Sequence, residues 1–181
     1  MIARFILAGI VAAAFVAGCQ KPVSSAPPAS APKTNAVSNP PGWPATKAQP
    51  KLQTMKLYVG AEVVTAELAL TQLQIATGMM FRKEMAENDG MLFAFSQPHR
   101  TSFYMKNTLL PLNIAYIGGD GTILELHELE ALNETPVEAK TDRVEYVLEM
   151  NKGWFQRHNV AVGSIITCEF GKLRDAFSQR P

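Results

Sequence analysis

Three groups of side chains in this sequence have the types and spacing to do chemistry. The first is cationic and polar: Arg82, then Tyr104, Lys106, Asn107 and Thr108. Arginine offers a planar fork that matches carboxylate or phosphate, lysine a point charge, and asparagine both a donor and an acceptor. Lys106-Asn107-Thr108 follows the aromatic pair Phe103-Tyr104 and precedes Leu109-Leu110-Pro111, so a turn there gathers donors. These residues are candidates to hold an anionic small molecule or a partner's carboxylate. The structural alternative has Asn107 and Thr108 satisfying turn backbone groups, while Arg82 and Lys106 pair with carboxylates at the core edge such as Glu149.

The second group is Met79, Met80, Met85, Met91, Met105 and Met150, with His99 and His127. Thioethers and imidazoles suit copper in an oxidising compartment. Met91 and Met105, however, sit beside phenylalanines in apolar, strand-like patterns, and methionine commonly fills irregular core gaps. Core packing is therefore the expectation, with no metal and no cofactor. The third group is acidic: Glu125, Glu128, Glu130, Glu145 and Glu149, which could supply a carboxylate pair for glycan hydrolysis. Strand alternation sets Glu145 and Glu149 on the face opposite Tyr146 and Leu148, which reads as a solvated sheet surface. No Ser/His/Asp order stands out, and His127-Glu128-Leu129-Glu130 lacks the second histidine of a zinc-helix motif. No catalytic residue is assigned.

The cysteines place the chain in the cell. A charged start at Arg4 precedes thirteen uncharged, mostly apolar residues, Phe5 to Ala17. That run is too short to span a bilayer but suits a signal-peptide core. It ends in Val16-Ala17-Gly18-Cys19, which resembles the bacterial lipobox. Residues 1–18 therefore read as a lipoprotein signal peptide and Cys19 as the lipidation site. The resemblance implies several acyl chains on Cys19, enough for durable anchoring in a bilayer. Gln20 in place of Asp implies onward export to the outer membrane, facing the periplasm. Cys168 is left without a partner and alternates with Ile166 and Phe170, so it reads as a buried, inert thiol.

Residues 19–51 form the lipidated cysteine plus a tether rich in Pro, Ala and Ser, holding eight of the twelve prolines. So few apolar side chains cannot offset the entropy of ordering, and the segment reads as disordered. The 17 basic residues nearly balance the 16 acidic ones, and losing Arg4 brings them level. A nucleic-acid partner, which calls for a basic excess, is not expected.

The folded part is expected over residues 52–171, with a tail at 172–181. Thr54–Val59, Val63–Ala69, Met91–Phe95, Ser102–Lys106, Leu112–Ile117, Thr122–His127, Arg143–Met150 and Ser164–Phe170 read as strands. Gly118-Gly119-Asp120-Gly121 marks a hairpin. Thr71-Gln72-Leu73-Gln74 matches a capping box that opens a short helix, and Trp154–His158 reads as a helical turn. The fold class expected is mainly β: a small antiparallel sandwich, jelly-roll-like, or a partly closed barrel, with one or two short helices.

Four ordered blocks carry a resemblance. Gly78-Met79-Met80-Phe81-Arg82, Gly90-Met91-Leu92-Phe93-Ala94-Phe95, Phe103-Tyr104-Met105-Lys106-Asn107-Thr108 and Pro111-Leu112-Asn113-Ile114 resemble domain-of-unknown-function family 192 over about residues 55–170. Met79, Tyr104 and Asn113 stand where that family usually has Leu, Trp and Asp. The resemblance implies a compact, mainly antiparallel β fold of jelly-roll type and no established activity. If Asn113 replaces an Asp, a potential partner of the cations is absent. The reading is an envelope-anchored lipoprotein whose β domain binds a small ligand, glycan or protein partner without turning it over. One alternative is an enzyme on an envelope substrate, which needs a carboxylate or histidine of strongly shifted pKa in the pocket. The other is a structural or assembly lipoprotein, which needs a broad exposed apolar patch.

Overall fold

The computed structural model describes residue 40 and residues 42–177; residues 1–39, which hold the segment read as a signal peptide, Cys19 and much of the stretch read as a tether, lie outside the described residues, as do residues 41 and 178–181. Thr54–Val59 (β1) buries Met55, Leu57 and Val59 on one side, as its alternation requires. It pairs antiparallel with Glu62–Ala69 (β2) across the turn at Gly60. Gln72–Thr77 (α1) then opens on a complete capping box. Thr71 Oγ1 accepts from Gln74 N at 3.2 Å, and Gln74 Oε1 accepts from Thr71 N at 2.9 Å. The helix ends at Gly78, whose N–H donates to Gln74 O at 2.8 Å and whose φ of 48° suits a residue without Cβ.

Helix α1 and the turns after it carry the chain back, so Asp89–His99 (β3) lies parallel to β2. Ser102–Phe103 (β4) is much shorter than its apolar pattern implies. It pairs only with Val137–Glu138 (β7), in a separate two-stranded sheet. Leu112–Gly118 (β5) and Ile123–Leu129 (β6) form the hairpin expected at the glycine run. Its turn closes through Gly121 N to Gly118 O at 2.9 Å and Thr122 N to Asp120 Oδ1 at 3.0 Å. Val144–Asn151 (β8) leads into Trp154–Arg157 (α2), then Ile166–Cys168 (β9), Gly171–Lys172 (β10) and Leu173–Phe177 (α3). The chain from residue 172, read as a tail, thus contributes a strand and a helix, and Leu173 is fully buried.

The main sheet has eight strands in the order β10-β9-β1-β2-β3-β8-β5-β6. It is mostly antiparallel and does not close into a barrel, so the mainly-β class stands, with three short helices. The sheet curls, however: Thr122 bridges Ile165, and Ile123 N donates to Ser164 O at 2.8 Å, bringing the β6 end to the β9 end. Two cores result. One draws on β1, β2, β3, β5, β6, β8 and β9 and includes Leu57, Val64, Leu92, Ile117, Leu148 and Trp154. The other lies on the opposite face of β3, β5, β6 and β8 and includes Met91, Phe93, Ile114, Tyr116 and Val147. Cys168 is buried with the first core, as expected.

The last residues of the stretch read as tether lie against this domain. Gln49 Nε2 donates to the carbonyls of Gln74 at 3.2 Å and Gly78 at 2.9 Å, and the Pro50 carbonyl accepts from Arg82 Nη2 at 3.4 Å. Apolar content misses this docking because polar side-chain bonds to helix-end carbonyls provide it.

Candidate functional site

Glu149 lies on β8 between Met91 of β3 and Ile114 of β5. Its face is the one opposite Tyr146 and Leu148, as alternation requires, but that face is not solvated. The second core covers it, and Glu149 is only 5% exposed. This corrects the expectation of a surface carboxylate, and the pairing expected between Glu149 and Arg82 or Lys106 is not formed either. Oε2 of Glu149 is buried without a hydrogen-bond partner among the described residues. Burial pushes the carboxyl up from the usual range to about 8, because the charged form is penalised in an apolar surrounding. At neutral pH the group is mostly a neutral acid.

Glu149 lines a cavity of about 120 Å³. Helix α1 supplies Thr77 to its wall, the turn after it Met79 and Met80, and β3 Phe93 and Phe95. The segment around β4 closes the remainder with Thr101, Phe103, Tyr104 and Thr108. Phe93 and Phe103 meet edge to face with centroids 5.0 Å apart. Thr77, Thr101 and Thr108 are buried, whereas Tyr104 is 40% exposed and stands at the rim. Behind the wall, Tyr116 donates to the Val137 carbonyl. Burial, followed by the nearby Glu125 carboxylate, holds its phenol well above the ordinary range.

Two strained turns set the wall. Phe81 and Asn107 both adopt positive φ, 61° and 54°, and Phe81 N donates to Asn107 O at 2.8 Å. Asparagine tolerates this region better than most residues; a bulky phenylalanine there is a genuine outlier. Thr108 Oγ1 donates to Lys106 O at 3.2 Å, and Thr108 O accepts from Leu132 N at 3.0 Å. The turn-satisfying role weighed for Thr108 is therefore real, and Thr108 also reaches the cavity.

The residues singled out from the sequence do not form one cluster. Tyr104 and Thr108 line the Glu149 cavity; Lys106 and Asn107 sit in the adjoining turn, outside its lining. The Lys106 ammonium has no ion-pair partner among the described residues. Arg82 turns away. Its Nη2 bonds Glu67 Oε2 at 2.8 Å and the Pro50 carbonyl at 3.4 Å, while Glu67 Oε2 also accepts from Leu52 N at 2.7 Å. Arg82 thus fastens the entry of the domain, beside a separate, charged hollow of about 440 Å³ that also includes Lys51, Glu84 and Asp89.

Asn113 is structural. Its Oδ1 accepts from Gly153 N and its Nδ2 donates to His127 O at 3.1 Å, so it leaves no gap beside the cations. The methionines do not converge on one point either: Met150 packs in the first core, and Met79, Met91 and Met105 in the second. His127 Nε2 pairs with Glu125 Oε2 at 2.9 Å.

The family profile described as an uncharacterized ACR, domain-of-unknown-function family 192, matches residues 55–168. No curated protein sequence matches the chain. Several solved structures are similar, two crystal structures among them. One is a protein from Sinorhizobium meliloti 1021 provisionally described as a transcription regulator, at 32% identity and a TM-score of 0.62. The match covers 66% of this chain and 97% of that one. The other is a protein of unknown function from Novosphingobium aromaticivorans DSM 12444, at 32% identity and a TM-score of 0.61, covering 64% of this chain and 85% of that one.

Proposed function

Since the protein belongs to domain-of-unknown-function family 192, whose description assigns no activity, we propose its function from the cavity: a lipid-anchored envelope domain that binds a small ligand at Glu149. One observation carries this reading. A buried carboxyl lines a cavity open at the Tyr104 rim, with Oε2 left unpartnered among the described residues. A buried polar atom without a partner costs about 1–3 kcal/mol, and a hydrophobic side chain of similar size would remove that cost. Such a group, strongly shifted and set in a cavity with a few polar neighbours, has the character of a ligand site. The regulator description of one relative adds little toward nucleic-acid binding, because the balanced charge provides no phosphate-binding excess.

Anchoring through Cys19 is part of the same proposal and rests on the lipobox-like residues before it. Palmitate labelling is expected on the full chain and lost in Cys19→Ser; label retained by that variant overturns the anchor. For the ligand site, a mixed library of small alcohols, amides, amines and carboxylates is titrated into the ¹⁵N-labelled full chain carrying Cys19→Ser. At least one class is expected to shift the amides of Thr101 and Thr108. Shifts confined to residues remote from the cavity, or none, overturn the site.

A second reading, acid–base catalysis by Glu149, is favoured by its placement near neutrality, where proton transfer is most effective. It predicts product formation from any ligand that binds, with a rate that titrates near pH 8. A ligand recovered intact after prolonged incubation sets it aside.

A further inference from the structure

The structure also speaks to the ligand's charge, on the premise that the Glu149 cavity binds a small molecule. We propose that its ligand is a small organic cation, an alkylammonium or quaternary ammonium group seated against aromatic rings with Glu149 as its counter-ion. The lining is one-sided in charge. Glu149 is its single acidic residue; neither Arg82 nor any lysine belongs to it. Helix α1 brings only Ile75, Ala76 and Thr77, and β3 brings only Phe93 and Phe95. The titratable groups that face Glu149 are two phenols, Tyr104 in the lining and Tyr116 from β5.

What such a carboxyl lacks is a positive partner: Oε2 has no hydrogen-bond partner in the fold, an alkylammonium N–H would donate to the carboxylate, and a quaternary ammonium would pair with it by charge alone. The rings supply the rest. Phe93, Phe95, Phe103 and Tyr104 all reach the cavity, and the face of an aromatic ring attracts a cation within about 6 Å of its centre. Met79 and Met80 add polarizable sulfur. An anionic ligand meets the opposite condition, repelled by Glu149 once ionised. The cavity, about 120 Å³, is small, and an ammonium headgroup bearing a few methyls suits a site of that size.

Binding a cation stabilises the carboxylate, so Glu149 must release its proton as the ligand enters. Affinity therefore rises with pH while the free acid is protonated and levels off above about 8. The test compares three probes of one shape: tetramethylammonium, tert-butanol as the neutral isostere and pivalate as the anion. Each is titrated into the ¹⁵N-labelled full chain carrying Cys19→Ser, following the Thr101 and Thr108 amides between pH 6 and 9.

Tetramethylammonium is expected to bind at least tenfold more tightly than tert-butanol at pH 8. Its affinity should gain close to tenfold per pH unit between 6 and 7.5, with pivalate silent. Glu149→Gln should abolish the preference and the pH dependence. Tyr104→Leu, a change at the rim, should weaken the cation several-fold more than it weakens tert-butanol, which keeps the test informative if the first variant folds poorly. Equal or tighter binding of tert-butanol or pivalate at these amides overturns the cation proposal and leaves the small-ligand site standing. No shift of the cavity amides by any probe overturns both.

Discussion

Leu148 and Glu149 are neighbours on β8, yet they look into two different interiors. Leu148 faces the inside of the curl, where seven of the eight strands contribute buried apolar side chains. Glu149 faces the outer layer, where α1 and the β4 segment close over a cavity and one oxygen has nothing to bond. The inner core is the part of the molecule that folding alone explains. The outer core contains a group that folding alone would discard, because a packed hydrophobic residue in its place would be more stable. Difference in cost to the fold is what separates scaffold from site.

Substitutions at the two neighbours should therefore act with opposite sign. Leu148→Ala is expected to cost roughly 2–5 kcal/mol in chemical denaturation, with the Glu149 titration unchanged. Glu149→Leu should leave the protein as stable or more so, and should abolish ligand binding. A large loss of stability in Glu149→Leu would mean the carboxyl holds the outer layer together, erasing the contrast.

The second effect is a pH dependence. The folded-state pKa of about 8 lies above the ordinary 4.5, so between those values the folded chain holds a proton that the unfolded chain has released. Stability attributable to this group is full below about pH 4.5 and falls as pH rises, levelling off above about 8. The decline totals roughly 3 kcal/mol between pH 5 and 8, at about 1.4 kcal/mol per unit over most of that window. Glu149→Gln should match the wild type at pH 5 and exceed it at pH 8. Parallel pH profiles for the two proteins would contradict the buried acid.

A third substitution probes the entry of the domain. Arg82→Ala should cost about 1–2 kcal/mol, because Glu67 and the Pro50 carbonyl lose a shared donor in a partly exposed site. It should leave ligand binding intact, since Arg82 lies outside the cavity. The smallest effects belong to the turn beside the cavity. Asn107→Ala should cost about 1 kcal/mol for placing alanine at a φ of 54°, and Asn107→Gly should cost less. Lys106→Ala should stay within about 0.5 kcal/mol. Thermal or urea denaturation separates these cases.

Much of the scaffold is legible along the chain because local chemistry decides it. The capping box at Thr71, the hairpin at Gly118–Gly121 and the alternation of β1 each follow from neighbours a few residues apart. Burial of Glu149 is different. Gly90–Phe95 and Leu112–Ile117 are apolar without alternation, as strands covered on both faces are. That signal shows that some of the sheet is covered twice. It becomes a statement about Glu149 only once β8 is known to lie between β3 and β5, a pairing across long loops that no local pattern records. Arg82 was legible as a polar anchor but not as an entry clamp, because its partner Glu67 lies on a strand whose register is set by tertiary pairing. Tyr104 and Thr108, singled out in the sequence, line the cavity; the phenylalanines and Thr77 that complete its wall look like ordinary core.

The proposed site turns on Glu149 being a neutral acid held in a cavity. Its carboxyl ¹³C shift, followed through a pH titration of the full chain carrying Cys19→Ser and assigned by its loss in Glu149→Gln, reads its protonation. A midpoint near 8, shifted downward by a bound cation, is expected. A midpoint in the ordinary glutamate range, near 4.5, would show the carboxyl to be solvated and would remove the buried acid.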